Sequence, residues 1–321
     1  MARLETETAA CSVISLQEVD LQWAGKLHAF FAEKGYVAIF AQYGKSMNNY
    51  MGVMLAWPRD KYEAIDVEIS RISETAPKGT YPKSDAGRQT LARHGMLTYK
   101  GLKDVIGCTP PKVVDHSMNF DWETAQSRAN EAVFVRLRAR GHPNLPSFCV
   151  ATYHMPCLFG PPEKVRVVNI HTYLLLKRLK DFAGTDPAIL TGDFNFKPGD
   201  SPYILTTRGG AFDAAKDLAA IPEELQGLGE KFPQKAPWPD GLASAYRSFH
   251  GSEPRFTNFA QTSGMQEPFV ETLDYIWFCP DQLSVVACPR LPEAPDTVKG
   301  PFPSHEEPSD HLPLRATFRL G

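Results

Sequence analysis

An apolar run at positions 188–192 is followed by Asp193 and Asn195, a carboxylate and a carboxamide two positions apart. In a strand, both side chains would lie on one face and point to one spot at its exposed tip. Hard oxygen ligands of this kind hold Mg²⁺, and a water activated beside the ion can attack phosphorus. Alone, the pair would more often mark a turn, because Asp and Asn bond nearby backbone amides.

Three further polar groups stand at the ends of apolar runs. Glu18 lies near the end of the run that begins at Val13, Asp274 stands before Tyr275-Ile276-Trp277, and Asp310-His311 precede Leu312-Pro313. Acids clustered at one site need a cation to offset their repulsion. Together, the four segments therefore predict a Mg²⁺ site for phosphoryl chemistry.

The elements that must position these residues alternate strand-like runs with a few amphipathic helices. Helices are predicted at 21–34 and 165–182. Strands are predicted at 13–16, 37–40, 52–56, 132–137, 147–152, 188–191, 274–278 and 312–318. Strands and helices mixed without strict alternation predict two sheets packed face to face, with helices outside.

Composition predicts one large domain at 11–321, after a disordered or poorly ordered segment at 1–10. The chain has 321 residues and 43% hydrophobic content, and no apolar segment long enough to cross a bilayer. The polar, acidic N-terminus argues against a secretory signal or a transit peptide and predicts a cytoplasmic location. Six scattered cysteines without a Cys-x-x-Cys pair argue against a zinc site or a disulfide framework.

The formal net charge of −3 argues against a chain that grips nucleic acid through bulk electrostatics. Locally the balance differs, because positions 78–112 carry seven Lys or Arg residues against two Asp residues. Basic segments are common without ligands, so this one is either a solvated loop or a surface that faces phosphates.

The four motifs, in this order, resemble the endonuclease/exonuclease/phosphatase family over residues 11 to 319. Segments 243–248, 253–259 and 273–277 resemble its branch of nocturnin, the angel proteins, the carbon-catabolite-repression deadenylases and the 2′,5′-phosphodiesterase. The resemblance implies a four-layered α/β sandwich, in which two packed mixed β-sheets are flanked by helices. Relatives begin with a strand that carries an Asn, whereas residues 1–10 contain none. The chain is therefore expected to lack the family's first strand, unless another segment fills the gap, and Asn48 and Asn49 are the nearest carboxamides.

The resemblance implies a role for each motif residue. Glu18 and Asp310 would bind Mg²⁺, with Mn²⁺ as a substitute, although Glu18 also fits an acid at a helix start. Asp193 would orient or deprotonate the attacking water, and Asn195 would hold the phosphate. Finally, two residues would act together: Asp274 would accept a hydrogen bond from His311, and the ring of His311 would contact the phosphate as an imidazolium.

Other positions are assigned by the same resemblance. His154 matches a phosphate-contacting histidine, whereas His171 falls in a Leu-rich helical segment and is predicted to lie on the helix surface. Asn130 resembles a phosphate-contacting asparagine. A last group would bind substrate beside the nucleotide, either by stacking on a base or by packing in the core: Phe256, Asn258 and Phe259.

These assignments predict a Mg²⁺-dependent phosphodiesterase that acts on the 3′ end of RNA or an oligoadenylate by in-line attack of water. A second reading is a phosphatase for a nucleotide, dinucleotide, inositol phosphate or sphingomyelin-type substrate. A third is a degenerate binding module without catalysis, motivated by the missing strand.

Overall fold

The computed structural model describes residues 1–76, 117–209, 237–238, 240–261, 265–304 and 307–321. The basic segment at 78–112 lies outside the described residues. None of the helices described combines the length and the apolar character needed to span a membrane.

Two sheets form the centre of the fold. The smaller is antiparallel, in the order β1 (Ile14–Val19), β3 (Gly52–Pro58) and β2 (Tyr36–Gln42). The larger has the order β4 (Tyr62–Arg71), β5 (Glu131–Ala139), β6 (Phe148–His154), β7 (Ala188–Asp193), β11 (Asp274–Phe278) and β8 (Ala243–Ser244). Within it β6 and β7 run parallel, and the other described pairs are antiparallel.

Two small ribbons, six α-helices and three short 3₁₀ helices (Ser46–Asn48, Ile72–Thr75 and Pro295–Thr297) complete the described elements. The ribbons pair β9 (Asn258–Ala260) with β10 (Phe269–Glu271), and β12 (Leu283–Ala287) with β13 (Thr317–Leu320). The helices are α1 (Ala2–Ala9), α2 (Leu21–Glu33), α3 (Ser117–Ser127), α4 (Pro162–Ala183), α5 (Ser201–Arg208) and α6 (Ala245–His250).

The central strand of the smaller sheet explains why the layers stack. Every residue of β3 is buried, because its side chains alternate between two apolar surfaces. Val53 and Leu55 pack with Val133 of the larger sheet, whereas Met54 packs with Phe31 of α2. Apolar residues of α4 cover the opposite face of the larger sheet. The resulting helix, sheet, sheet and helix layers confirm the predicted α/β sandwich.

The edge strand β1 bears on the predicted missing strand. It pairs with β3 on one side, and no other described strand pairs with it. The absence of the family's first strand stays a prediction.

The N-terminal segment differs from the predicted disorder, because residues 2–9 form α1 and are anchored by side chains. Leu4 packs against the cluster beneath α2. Arg3 forms an ion pair with Glu307, and Arg315 lies 3.5 Å from Glu7. These contacts tie the first helix to the C-terminal part of the chain.

Two strand assignments also change. The half-exposed strand β4 was not predicted, although Ile65, Val67 and Ile69 alternate with polar residues as in a strand. The strand predicted at 312–318 is confined to β13, since Pro313 lacks the N–H that a strand would donate.

His171 is fully buried, so the prediction of a helix-surface position is wrong. Its Nε2 lies 3.0 Å from the backbone oxygen of Ala125, which can only accept, so Nε2 carries the proton. Its Nδ1 then accepts from the hydroxyl of Tyr153 at 2.8 Å. Burial lowers the pKa of His171 to about 4.

This buried histidine predicts a loss of stability in acid. Its pKa is lower in the folded state than its ordinary value of about 6.5, so below that pH the unfolded chain binds the extra proton. The stability contributed by neutral His171 is present above about pH 6.5 and is lost as the pH falls towards 4. The free energy of unfolding, measured with urea at about pH 7.5 and at about pH 5, should differ by about 2 kcal/mol because of this residue. One pKa unit corresponds to about 1.36 kcal/mol.

Two variants isolate the contribution of His171. The His171→Asn protein should be less stable at neutral pH but should lose less stability on acidification. The exposed His142 provides the control, because His142→Asn should keep the full pH dependence. An equal pH dependence in the wild type and His171→Asn would contradict the assignment.

Candidate active site

Strand register brings three predicted site residues into one row. His154 lies opposite Asp193 in the β6–β7 pair, and Asp193 lies opposite Asp274 in the β7–β11 pair. Neighbouring strands are about 4.8 Å apart, so the three side chains meet at one end of the larger sheet. Gly192 is needed for this approach, because a Cβ there would lie 1.9 Å from the backbone oxygen of Tyr153.

The two oxygens of Asp193 have different surroundings. Oδ1 accepts a hydrogen bond from the backbone N–H of Asn195 at 2.9 Å, which the left-handed backbone of Asn195 permits. Oδ2 lies 3.4 Å from Nε2 of His154 and 3.9 Å from Nε2 of His311. Burial opposes ionisation, but the bond and charge of His154, together with His311, lower the pKa of Asp193. Asp193 is therefore a carboxylate between two imidazole rings.

His311 is held by Asp274, whose Oδ2 lies 2.7 Å from Nδ1 of the ring. Burial disfavours the imidazolium, but the hydrogen bond and charge of Asp274 outweigh it and raise the pKa of His311 to about 10. Beneath this pair, the hydroxyl of Thr257 accepts from the backbone N–H groups of Leu273 and Asp274 at 2.9 and 3.1 Å. His311 is thus an imidazolium at neutral pH, in a fixed orientation.

His154 is the second imidazole of the site. Its Nδ1 hydrogen-bonds to the hydroxyl of Tyr43, and its Nε2 faces Asp193. Burial acts against the charged ring, yet the hydrogen bond and charge of Asp193, with Glu18, raise the pKa of His154. Both histidines of the site therefore favour the charged form.

Glu18 reaches the site through an irregularity in β1. The register of β1 with β3 shifts between Leu16 and Val19, and Glu18 has a left-handed backbone with φ 56°. Bulges of this kind re-aim side chains beside active sites. Asp20, not Glu18, caps α2, since its side chain accepts from the N–H of Trp23. The carboxylate of Glu18 remains exposed, 4.0 Å from Nε2 of His154.

Asp310 lies beside a buried amide with an unused acceptor. Nδ2 of Asn258 is 3.4 Å from Oδ2 of Asp310, and the backbones of Asn258 and His311 form a β-bridge. The Oδ1 atom of Asn258 is buried without a hydrogen-bond partner among the described residues. An oxygen with a free lone pair next to a carboxylate suits a hard cation or its bound water.

The donor set fits a divalent metal ion. The acidic side chains of Glu18, Asp193, Asp274 and Asp310 gather beside the two histidines, and a divalent cation would offset their mutual repulsion. Ligand atoms of Asp193, Asp274 and His311 lie within 4.8 Å of one another. Nδ1 of His311 is already engaged by Asp274, however, so the carboxylates of Glu18 and Asp310 are the better candidates to hold the ion.

The amides predicted to contact phosphate also brace the backbone. Nδ2 of Asn195 donates to the backbone oxygen of Met155 at 2.9 Å, and Nδ2 of Asn130 donates to that of His154 at 2.8 Å. Asn48 instead accepts from the backbone N–H of Lys45 in an exposed turn.

The predicted stacking of Phe256 and Phe259 on a base does not match their placement. Both rings are buried, and they pack with Phe302 and Leu312. Neither ring offers a free face, so the alternative prediction of core packing describes them.

Two aromatic residues in segments next to those of the site carry no motif that could have found them. Phe159 follows His154 by five residues, and its exposed ring lies 5.6 Å from that of Phe269, between centroids. Phe269 begins β10, which pairs with β9 and therefore with the strand of Asn258. Only tertiary packing brings the two rings together, because their segments are distant in sequence.

Fold and site together define an α/β sandwich with an acid and histidine centre suited to phosphoryl chemistry. The chain belongs to the Endonuclease/Exonuclease/phosphatase family, whose model matches residues 1–311.

Similar proteins agree with the predicted branch. The chain is 37% identical over 174 residues to Carbon catabolite repressor protein 4 homolog 4 of Arabidopsis thaliana, covering 51% of this chain and 36% of that protein. It is 34% identical over 337 residues to the CCR4-Not complex 3′-5′-exoribonuclease subunit Ccr4 of Aspergillus niger, covering 96% and 45%. The structure of ANGEL2, a 2′,3′-cyclic phosphatase, with adenosine-2′,3′-vanadate shares the fold at a TM-score of 0.65 and 18% identity, covering 99% and 85%. The chain spans less than half the length of these two curated relatives.

Proposed function

We propose that this chain is a Mg²⁺-dependent phosphodiesterase that hydrolyses bonds at the 3′ end of RNA or an oligoadenylate. The observation that carries the proposal is the Asp193 carboxylate held between His154 and His311. Asp193 could thus orient or deprotonate water, and the two histidines beside it could donate hydrogen bonds to the phosphorane as it forms.

Each residue has a part in an in-line attack. Asp193 orients the water and accepts its proton as the bond to phosphorus forms. His311, held by Asp274, donates from Nε2 to a phosphate oxygen, and His154 meets the same group from the other side. Mg²⁺ bound at Glu18 and Asp310 would supply charge stabilisation for the leaving and equatorial oxygens. Catalysis rests on positioning and electrostatics.

An aromatic pair supports a nucleotide substrate. Phe159 offers an exposed ring next to the half-buried Phe269, and stacking of one base on such a ring is worth about 1–3 kcal/mol. The exoribonuclease named among the relatives supports attack at a 3′ end. A cytoplasmic location fits such a substrate and stays a prediction.

A second candidate is a phosphatase for a small phosphate ester. The net charge of −3 favours it, because a long polyanion would be repelled more strongly than a small ester. The third reading, a binding module without catalysis, is less favoured because the hydrogen bond between His311 and Asp274 is intact.

The test is metal-dependent shortening of a tail. RNA labelled at its 5′ end and bearing an adenylate tail should give a ladder that shortens from the 3′ end with Mg²⁺. EDTA should stop the reaction, and excess Mg²⁺ or Mn²⁺ should restore it, because the site needs a divalent cation. Intact tails at high protein concentration would contradict the proposal. Release of inorganic phosphate from small esters in the same preparation would instead support the second candidate.

A further inference from the structure

Tyr43 contacts the site although no motif marks it. It follows β2 directly, its ring is buried, and its backbone N–H donates to the backbone oxygen of Met51 at 3.1 Å. The ring stands edge-on to that of His154, with centroids 5.9 Å apart and an angle of 78°. The hydroxyl of Tyr43 hydrogen-bonds to Nδ1 of His154.

The two nitrogens of His154 therefore have different partners. Nε2 faces the carboxylate of Asp193, which is ionised and can only accept, so Nε2 carries a proton. A hydroxyl can donate and accept. It therefore satisfies Nδ1 whether the ring is neutral or charged.

We propose that Tyr43 is a positioning residue for the reaction proposed above: its hydroxyl fixes the His154 ring so that Nε2–H points at Asp193 and the substrate phosphate. This inference rests on the proposed function. Without the hydroxyl, Nδ1 would be a buried polar atom without its partner, and a half-turn of the ring would exchange Nε2 with Cε1 and present a carbon to Asp193. Burial, followed by the charges of Glu18 and Asp193, raises the pKa of Tyr43, so its phenol stays neutral.

A matched pair of variants separates positioning from packing. Tyr43→Phe removes the hydroxyl beside His154, and Tyr153→Phe removes the hydroxyl that bonds to Nδ1 of His171. Both changes delete one buried bond between tyrosine and histidine, and Tyr153 directly precedes His154 in β6. The two proteins should therefore lose similar amounts of thermal stability.

Only Tyr43→Phe should lose catalysis. We expect its kcat to fall about 10- to 100-fold, the usual effect of losing a group that orients a site residue, with KM changed less than about twofold, since substrate binding does not involve the hydroxyl. Tyr153→Phe should retain the wild-type kcat. The kcat is measured on adenylate-tail RNA and on bis(4-nitrophenyl) phosphate. The second substrate carries no base, so a loss seen only with RNA would reflect base recognition. Equal kcat values for the two variants would overturn the inference.

A second readout does not depend on activity. In protein labelled with ¹⁵N-histidine, Tyr43→Phe should shift the ring-nitrogen signals of His154 and leave those of His171 in place. Tyr153→Phe should do the converse. Unchanged His154 signals in Tyr43→Phe would overturn the inference, even if the wild type cleaves no tested ester. If the signals shift but the wild type is inactive, the result would count against the proposed function alone.

Discussion

Replacing Asp193 with asparagine is expected to lower kcat by about 10²- to 10⁴-fold, the range for loss of a positioned acid or base. The amide has nearly the same shape but no negative charge, and its N–H group would face the protonated nitrogens of His154 and His311. Water would then lose its orienting carboxylate. Steady-state cleavage of the adenylate tail by Asp193→Asn measures the loss.

A surface acid provides the control for this change. Asp181 on α4 pairs with Lys177 and is half exposed, so Asp181→Asn should keep the wild-type kcat. Thermal melts of both variants test that they fold. If folded Asp193→Asn kept more than about a tenth of the wild-type kcat, far outside the expected range, Asp193 would not be the group that acts on water.

The second large effect is expected where Asp274 acts through His311. Removing either member should lower kcat by about 10²- to 10³-fold, the cost of losing one donor to developing charge. In Asp274→Asn, the ring of His311 loses the carboxylate that fixes its direction and its charge. In His311→Gln, the same donor to phosphate is replaced by a weaker one.

The double variant distinguishes this arrangement from two independent contributions. Residues that act as a unit are strongly non-additive, so Asp274→Asn/His311→Gln should be about as slow as the slower single variant. If the effects multiplied, Asp274 would have a role of its own, such as binding the metal. Single-turnover rates on the adenylate tail make the comparison independent of product release.

Much of the fold could be predicted because its central strands are apolar and β-branched. The run at 188–192 and the run after Asp274 each have one buried face and one half-buried face, so their apolar character and length identify them as strands. The helix predicted at 165–182 was equally clear and lies within α4. The strand β4 could also have been found, because Ile65, Val67 and Ile69 alternate with polar residues at the period of a strand.

The motif residues of the site could be predicted, but their supports could not. Tyr43 and His154 are 111 positions apart, and a tyrosine after an apolar run carries no signal of its own. Phe159 and Phe269 meet only through tertiary packing, because one follows β6 and the other begins β10. Phe256 was ambiguous for a related reason, since an aromatic residue near a motif packs in the core as readily as it binds a base. Contacts between distant segments depend on register, which no local pattern encodes.

His154, Asp193 and Asp274 lie in one row across three strands, so this row persists only while the sheet is folded. These residues are neighbours across β6, β7 and β11, in the interior of the six-stranded sheet. A slip of one residue between two strands would turn a site residue to the other face. Partial opening at the exposed ends would leave the row intact, whereas separating these strands requires most of the core to open. This row therefore forms whole or not at all, and the population of molecules with an intact row should follow the global folding equilibrium.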